Sequence, residues 1–323
     1  MPAPDQPDGP PPGPAPTHED DFWQLRRPDG VVLYYRRCGP DDAVEPSILI
    51  LDGIGCSGWA FRKILPRLAE RRRVVHLHYR GHGRSPDPPR PWRIGMTDFA
   101  DDAAAVCEHA GLGPVVVVGF SMGFQVALEL YRRHRSRIVG LLSLAGPSGR
   151  VLRNFQGTQA FGQALPLIRA TARIASDLTL KAWRRLVPHP LARDLSRLLQ
   201  TNTDRLAAAD LEFYTRQLAE MNPELFFSIL AEADRHSAAD VLRTIEVPTL
   251  VVAGARDSFV PLETMRELAF TIPHVHWKVL AEATHALPAE YPEEMTALIQ
   301  GFVDGVVAPW LQGRGPVDPR LPV

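Results

Sequence analysis

The decapeptide VVVVGFSMGF, residues 115–124, runs four β-branched side chains into a serine held between glycines. Gly-x-Ser-x-Gly alone is a weak signal, which a chain of roughly 300 residues meets by chance about one time in ten. Its context strengthens it: Ser121 follows an apolar strand and opens a helix, as a nucleophile elbow requires. In such a turn the serine is pushed out of the backbone. Gly119 and Gly123 then stand where side chains would collide with neighbouring main chain. The helix beginning at Met122 offers free N–H groups and a positive dipole end to developing negative charge. A serine hydroxyl becomes a nucleophile when a base takes its proton and an acid orients that base. Asp257, in PTLVVAGARDSFVP, and His285, in VHWKVLAEATHALP, each lie just past the end of an apolar run. Taken singly, Asp257 is an ordinary turn aspartate and His285 an ordinary loop histidine. Behind an elbow, the two complete a triad.

Other chemistry is weaker. HLHYRGHG sets His76, His78 and His82 near the spacing of a zinc hydrolase, but Arg80 stands where an acidic residue is wanted. No metal site is expected, and His76 and His78 read as strand histidines. Cys38, Cys56 and Cys107 form no CxxC pair and read as reduced, buried thiols of an intracellular, cytoplasmic protein. The run Arg71–Arg73 reads as a solvated helix end. A net charge of -1 gives no reason to expect nucleic acid.

The elements that must position these residues alternate. VVLYYRR, SILILDG, RRVVHLHY, PVVVVGF, RIVGLLSLAG, PTLVVAG and VHWKVL read as strands. Between them, WAFRKILPRLAE, MTDFADDAAAVCEHAG (Thr97 or Asp98 as N-cap), MGFQVALELYRRH, PLETMRELAFTI and a last helix from about residue 290 to 307 have helical spacing. Apolar strands alternating with helices imply α/β architecture, a mostly parallel central sheet with helices on both faces. Residues 147–236 break the rhythm with helix after helix, FGQALPLIRATARIASDL, KAWRRLV, LARDLSRLLQTN, DLEFYTRQLAEM and PELFFSILAEA. This block reads as a helical cap inserted after the sixth strand, over the strand ends where ligands of open α/β sheets bind. The core is then 22–146 with 237–311, flanked by a Pro-rich tail at 1–21 and a flexible tail at 312–323. No apolar run approaches the length of a membrane span. Between 151 and 205 nine Lys/Arg face three Asp/Glu, an excess of 9 − 3, or +6. Interleaved with Leu, Ile and Trp183, that excess fits an anionic acyl substrate or a membrane surface, although such helices more often pack with their arginines outward.

From GVVLYY to LIQGFV the chain resembles the α/β-hydrolase superfamily, on GFSMG, YRGHGRS, VPTLVVAGARDSFVP and ATHALPAEYPEEM. Its layout is similar to capped esterases, carbon–carbon bond hydrolases and cofactor-free perhydrolases. A serine nucleophile sets it apart from the branches that use aspartate there. The resemblance implies Ser121, Asp257 and His285 as the triad in the family's chain order, with the backbone N–H groups of Ile54 and Met122 as the oxyanion hole. It departs at LDGIGCSGW, where Asp52 stands in place of the histidine that many relatives carry. Either Asp52 turns away and caps N–H groups of its own loop, the favoured reading, or it is a protonated or repurposed group that alters the chemistry.

The expected activity is cleavage of a small hydrophobic carboxylic ester or thioester through an acyl-enzyme, carboxylesterase-like and without cofactor. Carbon–carbon bond hydrolysis or acyl transfer uses the same triad. A non-catalytic hydrolase fold serving as ligand receptor or scaffold is the competing class.

Overall fold

The computed structural model describes residues 22–150, 152, 160–174, 176–189 and 205–313. The expected tail at 1–21, most of that at 312–323 and the helix expected over 191–202 lie outside the described residues. Eight strands form one sheet in the order β1-β2-β4-β3-β5-β6-β7-β8. They are β1 (Trp23–Arg26), β2 (Val32–Cys38), β3 (Ser47–Leu51), β4 (Val74–His78), β5 (Val115–Phe120), β6 (Ile138–Leu144), β7 (Thr249–Gly254) and β8 (Val275–Leu280). The β1–β2 and β2–β4 pairs are antiparallel and all others parallel. Burial follows position. Every residue of β3 to β7 is buried, whereas edge strand β8 is only partly so. This is why the central strands are nearly all apolar rather than alternating. Strand β1 is absent from the sequence reading. Its four residues alternate half-buried with exposed at the sheet edge and give no apolar run.

The pleat splits the core in two. Val115 and Val117 of β5 face Phe99 and Phe124, and Val116 and Val118 face Phe61 and Phe302. Helices α2 (Met96–His109) and α3 (Met122–His134) cover the first face, and α1 (Leu65–Ala69) lies on the second. Between β6 and Ser237 the described residues form α4 (Ala160–Ile174), α5 (Ser176–Leu186), α6 (Ala208–Glu220) and α7 (Pro223–Arg235). After α8 (Ala239–Leu242) and β7 come α9 (Leu262–Thr271), α10 (Leu287–Glu290), α11 (Pro292–Phe302) and α12 (Ala308–Leu311). No helix among the described residues is long and apolar enough to cross a membrane.

Helix boundaries differ from expectation in several places, and α1, expected over 59–70, is helical only over Leu65–Ala69. The N-cap of α2 is Gly95 rather than Thr97 or Asp98. Asp98 instead reaches back from the third helical position, its carboxylate accepting the Gly95 N–H at 3.0 Å, the return half of a capping box. The last helix, expected from about residue 290 to 307, starts at Pro292, whose missing N–H costs nothing at the first helical position, and the short α10 precedes it. A π turn over 303–307 then leads into α12.

The block between β6 and β7 leaves and returns through one pair of backbone strands. Gly149 and Ser237 form an antiparallel bridge, and the Ala238 N–H donates to Ser148 O at 2.8 Å. Above this neck, Arg62 and Lys63 both reach Asp210 of α6 at 2.7 Å, and Asn222 donates to Asp87 at 2.7 Å. Asn222 also caps α7 by accepting the Glu224 and Leu225 N–H groups. The block is thereby held against the loops that follow β3 and β4.

Candidate active site

Strand β5 ends on Phe120 and α3 begins on Met122, so Ser121 alone makes the turn. Its φ is 52° and its ψ -123°, a backbone conformation that non-glycine residues rarely adopt and that costs about 1–3 kcal/mol. The neighbours permit it. A Cβ on Gly119 would lie 2.6 Å from Phe124 Cα, and one on Gly123 would lie 2.0 Å from Leu51 O. The turn is fixed by Ser121 N–H donating to Leu144 O and Phe124 N–H donating to Ser121 O, both at 3.0 Å.

Loops after β7 and β8 bring the other two residues to it. His285 Nε2 lies 2.9 Å from Ser121 Oγ, and Nδ1 lies 2.9 Å from Asp257 Oδ2. A carboxylate only accepts, so Nδ1 carries the proton and Nε2 is left to receive the serine's. The second oxygen of Asp257 accepts the Phe259 and Val260 N–H groups at 2.8 and 2.9 Å. The acid therefore cannot rotate away from the imidazole without losing both bonds. Phe120 and Phe259 flank the His285 ring at centroid distances of 5.4 and 5.0 Å. Ser121, Asp257 and His285 are thus brought together.

Backbone N–H groups of Ile54 and Met122 donate to no acceptor among the described residues. Their segments are pressed together: a Cβ on Gly53 would lie 3.2 Å from Ser121 Cβ, and one on Gly123 2.7 Å from Asp52 O. An alpha/beta hydrolase fold family profile matches residues 46–291, from β3 past His285. The chain belongs to the alpha/beta hydrolase fold family. Among curated relatives it is 28% identical to the magnesium-chelatase 30 kDa subunit of Rhodobacter capsulatus, over 84% of this chain and 94% of that protein. It is 24% identical to the uncharacterized hydrolase YugF of Bacillus subtilis, over 85% of this chain and 95% of that one. Among solved structures, a thermophilic esterase from Thermogutta terrifontis superposes with a TM-score of 0.72 at 23% identity, covering 88% of this chain and 98% of the esterase. That last likeness speaks to the fold.

In this alpha/beta hydrolase Asp52 turns from the elbow towards its own loop. One oxygen, Oδ2, accepts the Gly58 N–H at 2.7 Å and faces His76 Nε2 at 3.0 Å, so Nε2–H donates to it. Both side chains are fully buried, and Oδ1 has no partner among the described residues. Loop capping was one of the two readings open to the sequence; the contribution of His76 was not anticipated. Pleat parity could have supplied it. Ile50 pairs with His76 across the β3–β4 ladder, and Asp52 lies two residues further along the same face.

The other histidines of HLHYRGHG are spent locally. The Arg84 N–H donates to His78 Nδ1 at 3.1 Å, and His82 Nδ1–H donates to Arg80 O at 3.1 Å. Burial pushes the His82 pKa down to about 4, against the opposing pull of the Arg80 carbonyl and Asp52. It holds His78 well below its usual range, helped by neighbouring His76 and His82. Burial likewise drives the Cys56 thiol and the Tyr79 hydroxyl well above theirs. A cleft of about 450 Å³ opens beside this layer, between Gly58, His76 and His78 on one side and Phe213 and Gln217 on the other. Ser121 and His285 do not line it.

Proposed function

We propose that this protein is a serine hydrolase that cleaves a hydrophobic carboxylic ester or thioester through an acyl-enzyme. The unbroken line from Asp257 through His285 to Ser121, at 2.9 Å in each step, carries that reading. Ser121 Oγ attacks the acyl carbon as its proton passes to His285 Nε2, and Asp257 stabilises the resulting imidazolium. The carbonyl oxygen becomes an oxyanion, received by the Ile54 and Met122 N–H groups, a contribution of about 3 kcal/mol per donor. When the tetrahedral intermediate collapses, His285 gives its proton to the leaving oxygen or sulfur. Water then enters, loses a proton to His285 and attacks the acyl-serine, releasing the acid and restoring Ser121.

Apolar side chains over the loops beside Ser121 support the substrate class. Leu218 and Phe226 close over Gly55 in the loop after β3, and Leu225 closes over Gly81. Trp183, Phe226 and Phe227 form an aromatic cluster behind them. Such walls favour an apolar acyl group, and the helices α4–α7 act as a cap over the site. Incubation with a fluorophosphonate followed by peptide mass spectrometry tests the chemistry, with Ser121 expected as the single labelled serine. Turnover of p-nitrophenyl esters of graded chain length tests the substrate class, with longer chains favoured.

One observation favours a second reading. A relative spanning most of the chain is named as a chelatase subunit rather than as a hydrolase. A binding or scaffolding role without turnover would leave Ser121 unlabelled by the same probe.

A further inference from the structure

Helices α4 and α5 carry most of the large hydrophobic side chains exposed among the described residues. Among the described residues seven large hydrophobic side chains are exposed. Four of them, Leu167, Ile174, Leu178 and Leu186, lie on these two helices at 72, 81, 71 and 60% exposure. Their spacing is helical. On α4, Ala164, Leu167, Thr171 and Ile174 are exposed at intervals of three and four, and on α5 Leu178, Ala182 and Leu186 are exposed at intervals of four. The opposite side of α4 packs inward, with Leu165 and Ala172 buried and Leu165 clustered with Ala231 of α7. The outward side is therefore a continuous stripe on each helix rather than scattered exposure.

Charge accompanies the stripe. The two helices hold Arg169, Arg173, Lys181, Arg184 and Arg185 against the single carboxylate of Asp177. Arg173, Lys181, Arg184 and Arg185 are exposed and make no ion pair among the described residues. On the core the habit is opposite: Arg67 pairs with Glu293, Arg132 with Asp240 and Arg133 with Asp101. We propose that the α4–α5 face docks on an anionic lipid surface, seating Leu167, Ile174, Leu178 and Leu186 at headgroup depth with the basic side chains against lipid phosphates. Apolar stripes bordered by unpaired cations are complementary to such a surface in both polarity and charge.

The docked face is one side-chain layer from the site. Trp183 of α5 donates its Nε1–H to Leu218 O at 2.9 Å and packs on Phe226 at 5.5 Å. Leu218 and Phe226 are the side chains lying over Gly55. If the hydrolase reading holds, an ester dissolved in lipid reaches the nucleophile from the apolar phase. The docking itself does not depend on that reading.

Sedimentation of the S121A protein with vesicles tests it, since binding is then read without turnover. Vesicles containing phosphatidylglycerol should carry the protein down, less so at raised salt, and vesicles of phosphatidylcholine alone should carry little. Lys181→Gln, Arg184→Gln and Arg185→Gln together should weaken binding on the order of a hundredfold, at the usual contribution of each basic residue near an anionic surface. Leu178→Ser with Leu186→Ser should remove most of it, and the charge variant keeps the test intact should that protein not fold. Both variants in the Ser121 background should hydrolyse a short soluble ester as the unaltered protein does. Absent binding, equal binding to phosphatidylcholine alone, or binding that both variants retain would overturn the proposal. So would a dimer by light scattering that the leucine variant abolishes, since the face would then be a contact between copies.

Discussion

Ser121 holds its strained φ of 52° only because the turn hydrogen bonds and two glycines over-determine it. Ser121→Ala should lower kcat by about a millionfold, the usual cost of deleting a nucleophile. Its thermal midpoint should stay level or rise, because catalytic geometry is commonly maintained at some expense of stability. Stopped-flow ester hydrolysis and calorimetry check the two halves separately. Asp257→Asn should lower kcat on the order of ten-thousandfold with the fold intact, because the amide favours the wrong imidazole tautomer. Asp52 behaves differently. An asparagine Oδ1 can accept from both Gly58 N–H and His76 Nε2–H, so Asp52→Asn should keep kcat/KM within about tenfold. Asp52→Ala strands two buried donors and should cost about 2–4 kcal/mol, measured by urea unfolding. Equal and large losses of kcat/KM in both variants, with stability unchanged, would make Asp52 a proton-transfer group instead. The convergence of Ser121, Asp257 and His285 was legible in the sequence because each sits just past an apolar run. The bond from His76 to Asp52 was not, because it joins residues on different strands and depends on register.

At the level of elements, the glycines of the elbow are contact residues rather than hinges. A Cβ at Gly123 would meet Leu51 O at 2.0 Å, and backbone of β3 cannot step aside without unpairing from β5. Gly123→Ala should therefore cost about 3 kcal/mol by overpacking, seen as a lower urea midpoint, and should abolish fluorophosphonate labelling as Ser121 shifts. Strands β3 to β7 were legible as mostly apolar runs because they are buried on both faces. The edge strand β1 was not, since half of each edge residue faces water and leaves no run to find. Helix ends were harder still: Asp98 stabilises α2 from inside the helix, so its carboxylate marks the start without being the cap.

For the whole molecule, two buried histidines contribute to the response to acid. His82, with its pKa near 4, and His78, also depressed by burial, stay neutral in the fold but take up protons in the unfolded chain below about pH 6.5. The unfolded state then binds more protons, so stability rises with pH and is lost as pH falls from about 6.5 towards about 4. His82 should contribute about 1.4 kcal/mol per pH unit within that window, and His78 acts in the same direction. Urea midpoints across it should show the slope, and His82→Gln should reduce it by one proton's worth; an unchanged slope would place the titration elsewhere.

The neck at Gly149 and Ser237 bears on how such a molecule diversifies. The two ends of everything between β6 and β7 meet in one backbone bridge, closed by the Ala238 N–H to Ser148 O. The chain thus leaves the sheet and rejoins it at one place, while α7 also packs into the main core through Leu225, Ile229 and Ala233. On the proposed mechanism, a segment of different length or shape joined at that neck would alter the walls met by an acyl group while β5, β7 and β8 go on holding Ser121, Asp257 and His285 in the same frame. Under that reading, substrate preference can drift without disturbing the hydrogen-bonded line of Ser121, His285 and Asp257.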